Sequence, residues 1–154
     1  MRRLLFSFFI LIFVQTLTAA EDAKSDVVKK FADGSIDFTK REMTVRGDGI
    51  PGPNAVNAAS AVIAAEKMAV KNARLRAIEA LSSLKLADKK SLNDFFAGQE
   101  KPGFISDLVK ESDFSQIKSK RYYSNSMVEV TFIVNIDSWL RAISEAAGQE
   151  LLTD

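Results

Sequence analysis

Apolar residues along this chain change period several times, and each change marks an element. From Met127 to Ile136 they alternate. Val128, Val130, Phe132, Val134 and Ile136 fall on one face; Met127, Glu129, Thr131, Ile133 and Asn135 fall on the other, more polar one. A period of two predicts a half-buried strand. Phe114 to Tyr123 precedes it across Ser124-Asn125-Ser126, so the two segments read as a hairpin. The first strand carries Lys118, Lys120 and Arg121 and reads as the more exposed.

Asn54 to Leu84 holds neither Gly nor Pro and is crowded with Ala, which predicts one long helix with Asn54 as N-cap. Helical spacing puts Ala59, Val62, Ile63, Val70, Ala73, Ala77, Ala80, Leu81 and Leu84 on a broad apolar arc. Lys67, Lys71 and Arg74 lie beside that arc. Glu66 projects from within it, and two readings follow. Either it reaches solvent near the helix start, or it forms a buried pair with a Lys or Arg that fixes the helix on the sheet.

Between these segments the pattern is weaker. Residues 35–46 alternate loosely and predict one strand, bulged near Lys40–Glu42. Residues 47–53, with three Gly and two Pro, predict a loop. Residues 91–97 predict a short helix, and Ile105, Leu108 and Val109 another turn or two. Residues 137–147 predict a final helix, with Asp137 as N-cap, Trp139, Leu140, Ile143 and Ala147 as its stripe and Gly148 as its stop. The expected fold is α+β, in the order β-α-(α)-β-β-α. A small antiparallel sheet is packed by one long Ala-rich helix and a C-terminal helix.

The beginning of the chain follows a different logic. Arg2 and Arg3 precede a run from Leu4 to Val14 broken only by Ser7, and Thr18-Ala19-Ala20 closes it. That is the layout of a secretory signal peptide, with cleavage expected at Ala20/Glu21. The apolar run is too short to span a hydrocarbon core of about 30 Å. The expected organisation is a signal peptide over 1–20, a short helical or flexible segment over 21–33, one α+β domain over 34–148 and a tail over 149–154. The expected location is periplasmic or secreted.

Composition then narrows the chemistry. The 154 residues include no Cys and no His, and the formal charge is +1. Losing Arg2 and Arg3 with the signal peptide takes it to −1. A chain without thiolate or imidazole has no disulfide, no Cys- or His-ligated zinc and no Ser-His or Cys-His nucleophile. No cofactor is implied, and a balanced charge gives no reason to expect nucleic acid. The carboxylates Asp37, Glu42, Asp48, Glu66 and Glu129 show no spacing that implies a shared cleft. Gly47-Asp48-Gly49 lacks the rest of a phosphate loop and reads as a turn, with Gly47 and Gly49 as structural positions. Arg46-Gly47-Asp48 matches the integrin tripeptide, a short and weakly specific signal. The run Lys118, Lys120, Arg121, Tyr122, Tyr123 has two readings. It is a strip for single-stranded nucleic acid, or a lysine-guarded strand edge, which an exported chain favours.

Several of these motifs together resemble a known family. Thr44-Val45-Arg46-Gly47-Asp48-Gly49 precedes Ala64-Ala65-Glu66-Lys67-Met68-Ala69-Val70-Lys71-Asn72-Ala73 and Arg74-Leu75-Arg76-Ala77-Ile78-Glu79-Ala80-Leu81, and the strand pair 117–123 and 127–136 follows. The order resembles the bacterial twenty-kilodalton surface-lipoprotein (Lpp-twenty-like) family over about residues 43–140. That family pairs a strand ending in G-x-G with an Ala-rich helix and a later strand pair. It is distantly similar to flagellar accessory proteins of the FlgP and FlgT types. Asn72 stands where the family usually has Asp, and Ser82-Ser83 where a Gly commonly closes the helix. The lipobox Cys is missing, so no covalent lipid anchor is carried over.

The resemblance implies a non-enzymatic envelope protein that binds protein partners or itself, with no membrane span in its mature form. It transfers no catalytic residue. The candidate structural or interaction residues are Glu66, Gly47, Gly49, Lys118, Lys120 and Arg121. Two alternatives stand beside this reading: an envelope hydrolase working with carboxylates alone, and a surface adhesin resting on the tripeptide.

Overall fold

A computed structural model of the chain describes residues 27–112, 114, 116–149 and 151. The signal-peptide segment and residues 21–26 lie outside the described residues, as do most residues of the expected tail. Nine elements follow one another: β1 (Val28–Phe31), β2 (Gly34–Asp37), β3 (Glu42–Gly49), α1 (Ala58–Ser82), α2 (Leu92–Gly98), α3 (Phe104–Lys110), β4 (Ile117–Tyr122), β5 (Val128–Asn135) and α4 (Asp137–Ala147). The fold is α+β with a five-stranded antiparallel sheet in the order β1-β2-β3-β5-β4.

Alternation fixes which side of the sheet is wet. Met43, Val45, Gly47 and Gly49 of β3 pair with Val134, Phe132, Val130 and Val128 of β5 and are buried together. Thr44, Arg46, Asp48, Glu129 and Thr131 occupy the opposite face, which contributes nothing to the core. Such one-sided burial is the usual economy of an antiparallel sheet. The core lies between the buried face and the helices. Phe114 packs edge-on against Phe132, 5.5 Å between centroids, and tilts against Trp139 of α4. Phe96 and Phe104 stack at 4.4 Å and join α2 to α3.

Three expectations are corrected. The segment before Gly34 forms a strand, β1, where it is described, because Lys29↔Ile36 and Phe31↔Gly34 pairing gives it a partner that local pattern does not reveal. Residues 35–46 are two strands joined by a turn rather than one bulged strand. Asp37 accepts the amide of Lys40 at 2.9 Å, and Arg41 takes a left-handed conformation, φ 56°. Strand β3 runs on through Gly49 instead of ending at Arg46, because β5 pairs with it over its full length.

Both long helices appear as expected, with shifted caps. Asn57, not Asn54, caps α1. It accepts the amide of Ser60 at 2.8 Å, and Ser60 Oγ accepts the amide of Asn57 in return, a reciprocal capping box. Ile136, not Asp137, is the N-cap residue of α4, and Asn135 Oδ1 accepts the amide of Asp137 instead. Gly148 closes α4 at φ 63°.

The buried side of α1 matches the expected arc at Ala73, Ala77, Ala80 and Leu81 and departs from it toward the helix start. Ala61, Ala65, Ala69, Ala73, Ala77, Ala80 and Leu81 are buried, while Ala59 is exposed and Ile63 is 55% exposed. The helix has turned its smallest side chains to the sheet, and β3 supplies the reason.

Candidate interaction surface

Helix α1 rests almost on the backbone of β3. A Cβ built on Gly47 would run into the carbonyl oxygen of Ala69 and the backbone of Ala73; one built on Gly49 would meet the carbonyl oxygen of Ala65. Alanines every fourth residue form a smooth stripe on one side of a helix, and glycines at alternate strand positions clear one face. Only that combination allows so close an approach. Gly47 and Gly49 are therefore strand residues under the helix, not a loop, and their role is packing. Arg46-Gly47-Asp48 lies within β3 with its Gly buried. That is not the projecting loop an adhesion tripeptide requires.

The same helix finishes the edge of β3. Strand β2 pairs with β3 from Glu42 to Val45, and Arg46 N–H donates to the carbonyl of Asp33 at 2.8 Å; beyond that bond β3 has no strand on this side among the described residues. Side chains of α1 cover that edge. Asn72 donates Nδ2–H to the carbonyl of Asp48 at 2.7 Å, and Arg76 donates to the carbonyl of Arg46 at 2.9 Å. Asn72 departs from the Asp of the resembled family, and the structure supplies a use for the amide: a carboxylate has no hydrogen to give that carbonyl. Arg76 also pairs with Asp33 at 3.1 Å and with Asp48. Arg46 reaches Asp33 at 2.9 Å and Glu129 at 3.7 Å, and the Asp33 carboxylate, its leading partner, raises the pKa of the Arg46 guanidinium. Sequence reading missed Asn72 and Arg76. Their spacing of four along α1 was the available signal.

On its other flank α1 faces β4, the last strand of the sheet. All six residues of β4 are exposed. Register puts Lys120 and Tyr122 on the helix side, opposite Val130 and Val128, and Ser119 and Arg121 on the open side. Glu66 Oε1 accepts the Tyr122 hydroxyl at 2.6 Å and Lys120 Nζ at 3.3 Å. Glu66 thus has its lysine, at a half-exposed site rather than a buried one (its side chain is 32% exposed). The Tyr122 hydrogen bond first, and then Lys120, hold the Glu66 carboxyl below its ordinary pKa; the same bond raises that of Tyr122. Arg121 points the other way, 3.7 Å from Glu129. Lys118 sits where the ladder slips between Ile117 and Ser119, a bulge in the edge.

Between α1 and β4 runs a shallow groove of about 200 Å³, lined by Ile63, Lys67, Val70, Ile117 and Val130 with the Glu66–Lys120 pair along it. Lys67 stands on its helix side, and Lys71 and Arg74 follow one and two turns further along α1. The Arg74 guanidinium lies 5.3 Å from the Phe114 ring centroid, and its Nε is buried without a hydrogen-bond partner. No ion pair joins Lys67, Lys71, Arg74 or Lys118 to an acid among the described residues.

A cleft of about 540 Å³ between α3, β5 and α4 has Glu111 as its single carboxylate. No group of three or more metal-ligating side chains assembles among the described residues, and none of their helices is long and apolar enough to cross a membrane. Comparison with protein-family models, with curated proteins and with solved structures finds no match.

Proposed function

We propose that this protein is a non-enzymatic, exported component of the cell envelope that works by contact, binding protein partners or further copies of itself. The observation that carries the proposal is the flank of α1 and β4. A fully exposed edge strand, exposed Ile63 and Ile117 and the cation Lys67 meet along one groove; Lys67, and Lys71, Arg74 and Lys118 on the same two elements, have no acidic ion-pair partner among the described residues. An isolated domain gains nothing from leaving such groups unmatched, whereas an interface would use them. The export part rests on the layout of residues 1–20, and the placement in an envelope assembly rests on the order of family-like motifs. The motifs of the flagellar accessory types give that assembly its most specific form.

The test has two parts. Fractionation and N-terminal determination should recover the protein outside the cytoplasmic membrane, beginning at Glu21. Light scattering of that material, over rising concentration and in envelope extract, should show species larger than one chain. A full-length cytoplasmic protein would remove the export reading. A strict monomer under both conditions would remove the contact reading.

A further inference from the structure

We infer that the β4 edge and the α1 groove beside it take an extended acidic segment of a partner protein, added antiparallel as a sixth strand. This rests on the contact reading above and names the partner's chemistry.

Three independent features converge there. The first is a free ladder. Tyr123 N–H bonds inward to the carbonyl of Met127, so alternation turns the N–H and C=O groups of Lys120 and Tyr122 outward, where β4 has no neighbouring strand among the described residues. Those groups can hydrogen-bond any strand laid alongside. The second is a side-chain groove on one face of that position. A sixth strand would point alternate residues toward Ile63, Val70 and Ile117, which form an apolar slot between helix and sheet. The third is charge. Lys67 and Lys71 on α1 and Lys118 on the bulge are exposed, and Arg74 keeps an unsatisfied Nε. The acids nearest this edge are already engaged: Glu66 with Lys120 and Tyr122, and Glu129 with Arg46 and Arg121. The vacant electrostatic role is therefore that of an anion supplied from outside.

Charge also decides against a second copy joined edge to edge. The opposite edge, β1, is Val-Lys-Lys-Phe, so pairing β1 with β4 would set lysines against lysines. The cations and the bulge protect β4 from indiscriminate pairing. The same cations admit a strand whose helix-facing side chains, every second residue, include both acidic and apolar ones. A nucleic acid or other polyanion would satisfy the cations but leave the ladder and the apolar slot unused.

The test uses the purified protein and a labelled peptide of Thr-Glu-Thr-Val repeats, here the Glu-Val peptide, which sets Glu and Val by turns along one face of a strand, read by fluorescence anisotropy. A Lys-Val peptide, an oligonucleotide and two Glu-Val peptides N-methylated in alternate registers serve as comparisons. The Glu-Val peptide should bind and the Lys-Val peptide should not. Methylation in one register should abolish binding and in the other leave it intact, because only one edge of an added strand faces β4. Amide exchange at Lys120 and Tyr122 should slow on binding. Lys67→Glu with Lys118→Glu should weaken binding by about tenfold or more at low salt, since interface charges steer and select. Both positions are exposed, and circular dichroism verifies that the variant folds. No binding, equal effects of both methylation registers, or equal binding of the oligonucleotide would overturn the inference. Light scattering on the same samples keeps the broader reading separate: assemblies that persist without peptide binding would overturn the added strand alone.

Discussion

The two flanks of α1 obey opposite rules. Toward β3, the helix presents Ala65, Ala69 and Ala73 to Gly47 and Gly49, and the backbones approach until no Cβ fits between them. Toward β4, the same helix presents Ile63, Glu66, Lys67 and Val70, and leaves a groove. The first flank is specified by the absence of side chains, the second by their chemistry. What differs physically is tolerance. A seam with no slack transmits every added atom, whereas a half-exposed rim absorbs change through solvent and side-chain motion. The fold is held on one side of the helix, which leaves the other half-exposed.

Breaking the seam should have the largest effect. Gly47→Ala or Gly49→Ala forces α1 off β3 and should cost about 3 kcal/mol in chemical unfolding, the upper part of the overpacking range. A variant of wild-type stability would mean that the seam is looser than its geometry. Next comes the covered edge of β3. Arg76→Ala removes the bond to the Arg46 carbonyl and two partly screened ion pairs, and should cost about 1–2 kcal/mol.

The rim should respond less. Glu66→Gln keeps the shape of the triad and weakens its charge, so the loss near neutral pH should be about 1 kcal/mol, discounted for exposure. Its pH dependence follows from the shifts. The pKa of Glu66 is lowered, so its contribution is complete above the ordinary carboxyl value and disappears as pH falls through the lowered one. The pKa of Tyr122 is raised, so its contribution is complete below the ordinary phenol value and disappears as pH rises through the raised one. Wild-type and variant stability curves should therefore lie apart at neutral pH and converge at both extremes. Ile63→Ser should be smallest of all, within about 0.5 kcal/mol, because the side chain it removes is already more exposed than buried.

The same contrast explains what could be read in advance. Strand β5 and helix α4 were legible because each has one buried face and keeps a single period over its length. The exposed character of β4, with Lys118, Lys120 and Arg121, was legible from charge, and it proves to be the sheet edge. Strand β1 was not legible, since its four residues form a strand only through β2. The buried side of α1 was legible over its second half, where Ala73, Ala77, Ala80 and Leu81 are buried as expected, but not over its first. Hydrophobicity favours Ile63 as core there, but the seam selects for size, and a hydrophobic scale does not rank Ala above Ile. Gly47 and Gly49 carried the missing information, and the turn-like composition around them concealed it. For Glu66, sequence left open solvent exposure and a buried pair with a Lys or Arg; the structure takes the lysine from the second and the exposure from the first, because the depth depends on how far β4 lies from the core, which only topology decides.

The division of labour across α1 is tested most directly by residue-resolved amide hydrogen exchange on the purified protein without any partner. The amides of Val45, Gly47 and Val130, paired within the β3–β5 ladder beneath the helix, should exchange only through global unfolding and follow added denaturant. The amides of Lys120 and Tyr122 should exchange orders of magnitude faster and ignore denaturant, as expected of an open edge. Equal protection at the two sets of positions would mean that the edge of β4 is already covered in the isolated protein, and would contradict the account.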